Sequence, residues 1–451
     1  MTNWQEFFRG KKITVMGLGL LGRGLGDVKF LASLGAELTV TDLKTAEQLA
    51  SSLNPLKKFS NIKYVLGEHR LADFKTADLV IKAAGVPLDS PYVAAALAAS
   101  VPVYMSTALF VKFLPPKTTV IGVTGTRGKS TTTQLIYEII KAAGRRVHLG
   151  GNVRGLSTLA QLPKVRPGDA VVLELDSWQL QGFGDLKISP DVAVFTTFYP
   201  DHLNYYNNDL DLYFRDKANL FRHQTSEQVL IAGQQFARGP LRQRLLRVNP
   251  EVNLITPRPA DWPALSALGM IGEHNRHNAT LAILAARQLG IQAGVITKTV
   301  KKFTGVPGRL ELVRVVKKVS WYNDTTSTTP EALVAALEAL SQKFGQKKIT
   351  LIMGGADKKL DFKKARQAWQ KYCRQIILLP GSGTERLRQA KLISGQPVSS
   401  MKAAVLQCRA LARPGEAVVL SPGFASFGPP PGGFKNEFDR GDQFNRAVKL
   451  L

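Results

Sequence analysis

Cysteine is almost missing from this chain of 451 residues, which holds two, Cys373 and Cys408. That excludes a disulfide-stapled scaffold and a Cys-rich zinc module, and it fits a reducing compartment. Long apolar runs are missing too. No stretch of about 18 apolar residues occurs, so no membrane-spanning helix is expected. The opening "MTNWQEFFRGKK" lacks the apolar core of a secretory leader, and a cytoplasmic protein is expected. Acidic residues are scarce, 34 against 60 Lys and Arg, giving a formal net charge of +26. Such an excess raises nucleic-acid binding as a function class. The basic residues come as scattered pairs, however: Lys11–Lys12, Lys301–Lys302, Lys317–Lys318 and Lys347–Lys348. There is no aromatic-interleaved basic stripe and no nucleic-acid-binding module, so a generally basic proteome or a highly anionic substrate is the better account.

What is present is the material of an ordinary globular enzyme, 44% hydrophobic and 21% charged. The length suggests about three domains. Apolar strand, turn and amphipathic helix alternate throughout, the pattern of parallel α/β sheets. Residues 1–114 hold "KITVMG", "AELTVTD", "ADLVIKA" and "VPVYMS", and the Pro-rich bend "FLPPKT" closes the block. Residues 115–306 hold "TTVIGVTG", "AVVLEL" and "PDVAVFTTF". The pattern restarts near "TGVPGRLELV", and residues 307–451 carry "KITLIMGG", "RQIILLPG" and "EAVVLSPG".

Two glycine-rich turns look built for phosphate. In "IGVTGTRGKSTTTQLI" a buried-strand run enters a bend and then a helix with Leu135, Ile136, Ile139 and Ile140 on one face and Gly144 at its C′ position. Gly125 and Gly128 let backbone N–H groups of the Thr126–Arg127 bend point inward, where the helix start at Ser130 and Thr131 favours an anion. Lys129 can reach terminal phosphates and the Ser130 hydroxyl suits Mg²⁺. The strict P-loop spacing asks for glycine at 123, where this chain has Val123. A nucleoside triphosphate is the expected guest. In "ITVMGLGLLGRG", Gly17, Gly19 and Gly22 form G-x-G-x-x-G directly after a strand, and Asp42 closes the next one, placed for a ribose hydroxyl. NAD fits this fingerprint, and a UDP-sugar fits equally well.

Other groups are ambiguous taken singly. Glu174 ends the strand "VVLEL", and Asp201 and His202 follow "AVFTTF", positions where open α/β sheets gather ligands. A carboxylate and an imidazole beside the P-loop hydroxyl suit a Mg²⁺ site. The pair His274 and His277 has no third metal ligand nearby in sequence. Lys217, on an amphipathic helix, reads as a surface lysine.

The segments "VTGTRGKSTTT", "GNVRGL", "LELDSWQL", "PDHLNYY…FRDKANLF", "GEHNRHNATLAI", "GVPGRLELV", "YNDTTSTTPEALVAAL", "MGGADKKLDF" and "FKNEFDRGDQF" occur in the order typical of the Mur ligases. The chain resembles that family over essentially its whole length, and most of all its D-glutamate-adding branch. The resemblance implies an α/β protein of three domains: a Rossmann-like UDP-binding domain, a central P-loop ATPase-type domain with a mostly parallel sheet, and a Rossmann-like C-terminal domain that binds the amino acid. It implies that the first fingerprint holds UDP rather than NAD. The implied reaction phosphorylates UDP-N-acetylmuramoyl-L-alanine with ATP and couples the acyl phosphate to D-glutamate, in peptidoglycan synthesis. Such an enzyme is expected to be a cytoplasmic monomer with two Mg²⁺ sites and no nucleic-acid or membrane partner.

By the same resemblance, Lys129 is the phosphate clamp, Ser130 and Glu174 are Mg²⁺ ligands, His202 is a second-metal ligand and Lys217 is carbamylated. Asn275 and Asn278 lie near adenine, while Arg309 and Asp324 reach ATP from the third domain. Gly19, Leu20, Leu21 and Asp42 hold UDP, and Asn152 and His202 contact the muramoyl substrate. Thr328, Lys358, Ser426 and Phe438 form the D-glutamate site. Four departures stand out. Thr326 replaces a usual lysine. Asp176 replaces a usual serine and is expected on the same strand face as Glu174. "ALF" (108–110) lacks an acidic residue, and "GPPPGG" (428–433) lengthens a loop. They leave two alternatives open: a related ligase adding another amino acid, or a silent protein that binds a UDP-linked precursor.

Overall fold

The computed structural model describes residues 3–87, 89–426 and 434–451. Three sheets follow one another along the chain. The first has strands β1 (Lys12–Met16), β2 (Glu37–Asp42), β3 (Ile62–Leu66), β4 (Leu79–Lys82) and β5 (Val103–Tyr104), in the order β3-β2-β1-β4-β5. Every pairing in it is parallel. The second has β6 (Thr119–Thr124), β7 (Val147–Gly151), β8 (Ala170–Glu174), β9 (Val192–Phe195), β10 (Val229–Ala232) and β11 (Asn253–Ile255), in the order β11-β10-β9-β6-β8-β7. It too is parallel throughout. β6, β8 and β9 are apolar and almost wholly buried, as central strands covered on both faces must be.

The third sheet has β12 (Glu311–Val316), β13 (Val319–Asn323), β14 (Ile349–Met353), β15 (Cys373–Leu378) and β16 (Ala417–Leu420), in the order β12-β13-β16-β14-β15. β12 pairs antiparallel with β13. As an edge strand it is the most exposed of the five, which is why its residues alternate so weakly.

Two units hold these sheets: 1–261 with 280–296, and 262–279 with 297–451. In the first, a continuous apolar core runs from Phe8, Val28 and Leu109 to Leu173, Phe195 and Phe221. In the second, Leu337, Leu351, Trp369 and Phe424 pack one face of the sheet, and Trp321, Ile352, Cys408 and Phe444 the other. The first two sheets are joined by polar contacts as well. Asp27, on helix Arg23–Ser33, accepts from Ser157 Oγ at 2.5 Å, and Leu21 O accepts from Gly155 N at 2.9 Å. No helix among the described residues is long and apolar enough to cross a membrane. The lengthened loop 428–433 lies outside the described residues.

Candidate active site

The site is built from loops at the carboxyl ends of neighbouring parallel strands, where such sheets open a crevice. β6 runs on to Thr124 with Val123 buried inside it, so the glycine bend starts one residue pair later than the strict spacing requires. Gly125 has φ +145°, and a Cβ there would lie 2.0 Å from Thr196 Oγ1 and 2.8 Å from Thr197 N. Only glycine fits. Thr197 holds the bend, its carbonyl accepting from Thr126 N at 2.7 Å and its hydroxyl from Arg127 N at 2.8 Å. Gly128, at φ +90°, starts helix Lys129–Ala142 with no side-chain cap, which leaves the N–H groups around Ser130 and Thr131 for an anion. Lys129 Nζ folds over the bend and donates to Gly125 O at 2.8 Å and Thr126 O at 3.2 Å.

Lys217 is not a surface lysine. It is 1% exposed, because the face of helix Leu210–Ala218 that carries Tyr213, Phe214 and Lys217 packs inward. Its Nζ donates to Gly125 O at 3.1 Å and Thr124 Oγ1 at 3.5 Å, and sits 4.8 Å from the centre of the Tyr213 ring. Lys129 and Lys217 thus meet on one carbonyl. Burial, reinforced by the Lys129 charge, holds the Lys217 amine well below its ordinary range, with Asp176, Asp201 and Asp216 opposing. The sequence pattern could not reveal this, since the two lysines are far apart in the chain.

His202 stands at φ +54°, an unusual backbone for a non-glycine residue, and its ring lies 4.7 Å from Trp178. Burial lowers its pKa, Asp201 raises it, and Lys129 and Lys217 lower it further. Glu174, buried at the end of β8, accepts from Asn152 Nδ2 at 3.5 Å through Oε1, and its carbonyl accepts from Asn152 N at 2.7 Å. Arg23 Nη1 donates to Asn152 Oδ1 at 2.5 Å, so a residue beside the first fingerprint reaches the Glu174 neighbourhood. Asp176 departs from the expected strand face. β8 stops at Glu174, and Asp176 caps helix Ser177–Asp185, accepting from Gln179 N at 2.7 Å in a capping box.

A second network lies behind the site. Gln181 accepts from Lys82 Nζ at 3.1 Å and donates to Tyr205 OH at 3.3 Å and Asp216 Oδ2 at 2.8 Å. Tyr205 OH donates to Val86 O at 2.8 Å, and the Tyr205 ring lies 5.3 Å from Trp178. Burial pushes the Asp216 carboxyl up, and it lowers Lys82. Arg23, Lys82, Trp178, Gln181 and Tyr205 were all missed in the sequence; Arg23, Trp178 and Tyr205 stand inside the segments quoted above, but what each one touches lies far away in the chain.

In the first fingerprint Gly17 has φ +95° with Ala83 Cβ only 2.8 Å from its absent side chain, and Gly22, at φ +84°, starts helix Arg23–Ser33. Asp42 is buried and uses its oxygens to order the loop, accepting from Gly19 N at 3.0 Å and Lys44 N at 2.9 Å. Each oxygen keeps a second lone pair for a hydroxyl. Leu20 and Leu21 are 46% and 37% exposed, an apolar platform beside that carboxylate.

In the second unit, loops after β13, β14 and β16 adjoin. Lys358 Nζ donates to Thr328 Oγ1 at 3.2 Å, and Ser426 Oγ is buried without a hydrogen-bond partner among the described residues. Thr326, at the position of the usual lysine, spends its hydroxyl on Gly308 O at 3.0 Å. Phe438 lies on helix Glu437–Lys449. Asp324 accepts from Leu310 N at 3.0 Å and Ser421 Oγ at 2.9 Å; burial pushes its carboxyl up to about 7, while Arg309 pulls it down. Asn278 Nδ2 donates to Asn275 Oδ1 at 3.3 Å, both residues buried on helix Glu273–Gln288.

A phosphate loop, a dinucleotide-type fingerprint and a third α/β sheet with its own polar loops define a nucleotide-binding α/β protein of modular build. The chain belongs to the Mur ligase family, ATP-dependent enzymes that form amide bonds. Residues 11–105 match the MurD-like N-terminal domain, 123–243 the Mur ligase middle domain, and 308–424 the Mur ligase glutamate ligase domain. It is 35% identical to the UDP-N-acetylmuramoylalanine–D-glutamate ligase of Roseiflexus sp. (strain RS-1), over 98% of each chain. It is 30% identical to the enzyme of that name from Treponema pallidum (strain Nichols), over the full length of both. The fold is also that of UDP-N-acetylmuramate-alanine ligase from Thermotoga maritima, with TM-score 0.62 and 17% identity over 98% of this chain and 99% of that one. The MurF ligase of the same organism, solved in complex with ADP, gives TM-score 0.58 and 16% identity over 100% and 97%.

Proposed function

We propose that this protein joins D-glutamate to UDP-N-acetylmuramoyl-L-alanine in the synthesis of peptidoglycan precursors, acting as a cytoplasmic monomer. The full-length likeness to ligases of that name carries the reading. The domain limits proposed are 1–114 for the UDP substrate, 115–306 for ATP and 307–451 for the amino acid.

ATP phosphorylates the terminal carboxylate of the UDP substrate, turning a poor leaving group into a good one. The D-glutamate amine then attacks the acyl phosphate, and the tetrahedral intermediate collapses with loss of phosphate. The bend 125–131 and Lys129 hold the triphosphate, and the developing charge between phosphate and carboxylate is met by pre-placed cations. Asn275, Asn278, Arg309 and Asp324 are the further ATP-contacting residues that the family likeness implies. Leu20 and Leu21 give a face for uracil, Asp42 and Gly19 the ribose and diphosphate contacts, and Asn152 and His202 the muramoyl contacts. Thr328, Lys358, Ser426 and Phe438 receive D-glutamate.

The residues fit Mg²⁺ on one condition. No cluster of three His, Cys, Asp or Glu side chains occurs among the described residues. Ser130, Glu174 and His202 therefore need another anionic ligand, and a carbamylated Lys217 supplies it. Burial lowers the pKa of this amine and so favours the neutral form, which is the form that adds to CO₂. Bound Mg²⁺ would neutralise phosphate charge and organise the attacked carboxylate.

The test incubates purified protein with UDP-N-acetylmuramoyl-L-alanine, ATP and Mg²⁺, offers single amino acids, and measures phosphate release and product mass. Turnover with D-glutamate alone is expected. Turnover only with another amino acid, or with none, overturns the proposal.

A further inference from the structure

Arg440 is the largest fully buried charged side chain among the described residues, at 0% exposure. It sits in the first turn of helix Glu437–Lys449, two residues after Phe438. Its guanidinium donates to three oxygens: Thr325 Oγ1 at 3.2 Å, Thr325 O at 2.8 Å and Phe424 O at 3.2 Å. All three are neutral. No carboxylate among the described residues forms an ion pair with it, and the acid that acts on it, Glu437, stands one turn earlier on the same helix. Burying a cation among neutral acceptors is costly unless a counter-charge arrives from elsewhere.

The place of this charge suggests where the counter-charge comes from. Thr325 lies three residues before Thr328, and Phe424 two before Ser426, so Arg440 ties both loops together. Helix and loop are in tight register, since a Cβ on Gly441 would lie 2.6 Å from Thr325 Cγ2. The same loops carry the Lys358–Thr328 pair and the Ser426 hydroxyl, which is buried without a hydrogen-bond partner among the described residues. Thr326 contributes no charge there.

We propose that Arg440 is a positioning and specificity-determining residue for a dicarboxylic amino acid, holding the loops 325–328 and 424–426 in place and supplying the positive field that a second substrate carboxylate completes. The inference rests on the proposed acceptor being anionic.

Full-length wild type, Arg440→Lys and Arg440→Met are compared by steady-state kinetics with each substrate varied in turn, alongside thermal melts. For Arg440→Met the KM for D-glutamate should rise about tenfold or more, with KM for ATP and for the UDP substrate within about twofold. Arg440→Lys keeps the charge and loses the planar fork. It should keep the D-glutamate KM within about threefold of wild type even while its melting temperature falls. Equal losses in both variants, a uniform rise in all three KM values, or an unchanged D-glutamate KM in Arg440→Met overturns the proposal. If Arg440→Met does not fold, Arg440→Lys decides alone: a tenfold rise in its D-glutamate KM refutes the role of charge. Wild type that turns over a neutral amino acid and not D-glutamate would instead refute the proposed acceptor.

Discussion

Replacing Asp27 with asparagine should make the protein more stable at neutral pH. Asp27 is buried between helix Arg23–Ser33 and the loop holding Ser157, whose hydroxyl donates to it at 2.5 Å. Burial pushes its carboxyl up from 3.8 to about 6, against the lowering pull of the Ser157 and Ser106 hydroxyls and of Arg23. The folded protein therefore keeps this proton to a higher pH than the unfolded chain does. Its contribution to stability is complete below about pH 4, falls as pH rises through 6, and stays low above. The interval corresponds to roughly 3 kcal/mol at pH 7 and beyond. Asparagine is neutral and similar in shape, so it removes that loss, giving back about 1 kcal/mol for a weaker hydrogen bond to Ser157. A net gain of about 2 kcal/mol remains, or roughly 3–4 °C in melting temperature for a unit of this size. Calorimetric melts of both proteins from pH 5 to 8 measure it. The variant's advantage should grow with pH and level off near 7; an advantage independent of pH, or a variant less stable throughout, refutes the reasoning.

Three further outcomes follow from the site. Lys217→Ala should abolish ligation and recover part of it when a short-chain carboxylate is added, and ¹³CO₂ should label the parent protein but not the variant; full activity in the variant would remove the carbamate role. Gly125→Ala forces a Cβ against Thr196 and Thr197 in a backbone region suited to glycine, at a cost of roughly 2–4 kcal/mol to the loop. Calorimetric titration should then find ATP affinity reduced by at least tenfold, and normal affinity would show that the bend does not hold the nucleotide. Tyr205→Phe deletes the bonds to Val86 O and Gln181. It should cost about 1–2 kcal/mol in stability and lower kcat more than the ATP KM, whereas wild-type melting and kcat would mean that this network is idle.

The parallel strands were legible because buried strands read as apolar runs closed by glycine or by polar residues, and β1, β2, β6, β8, β9 and β14 to β16 lie where those runs occur. β3 and β12 were not: each is an edge strand with a half-exposed, irregular pattern, so its residues carry no clear period. The loops were legible where glycine and charge sit together in one motif, as at 125–131. Burial of a polar group was not, because it is decided by partners distant in the chain. Lys217 reads as a surface cation on an amphipathic helix, yet its Nζ is buried and donates to Gly125 O, ninety-two residues earlier in the chain. Arg440, in "EFDRGDQF", drew no reading from the sequence and is wholly enclosed.

These two hidden cations share a physical logic. Each lies behind a loop at the carboxyl end of a parallel strand, donates to backbone oxygens of that loop, and pairs with no carboxylate at salt-bridge distance among the described residues. An unpaired buried charge is costly, and on the proposals above its complement comes from what binds. At Lys217 the proposed route is loss of a proton and addition of CO₂, which makes the side chain anionic; at Arg440 the guanidinium keeps its charge, and the proposed complement is the substrate carboxylate. A lysine is therefore suited to the place where a metal needs an anion, and an arginine to the place where an anionic amino acid needs a lasting positive charge.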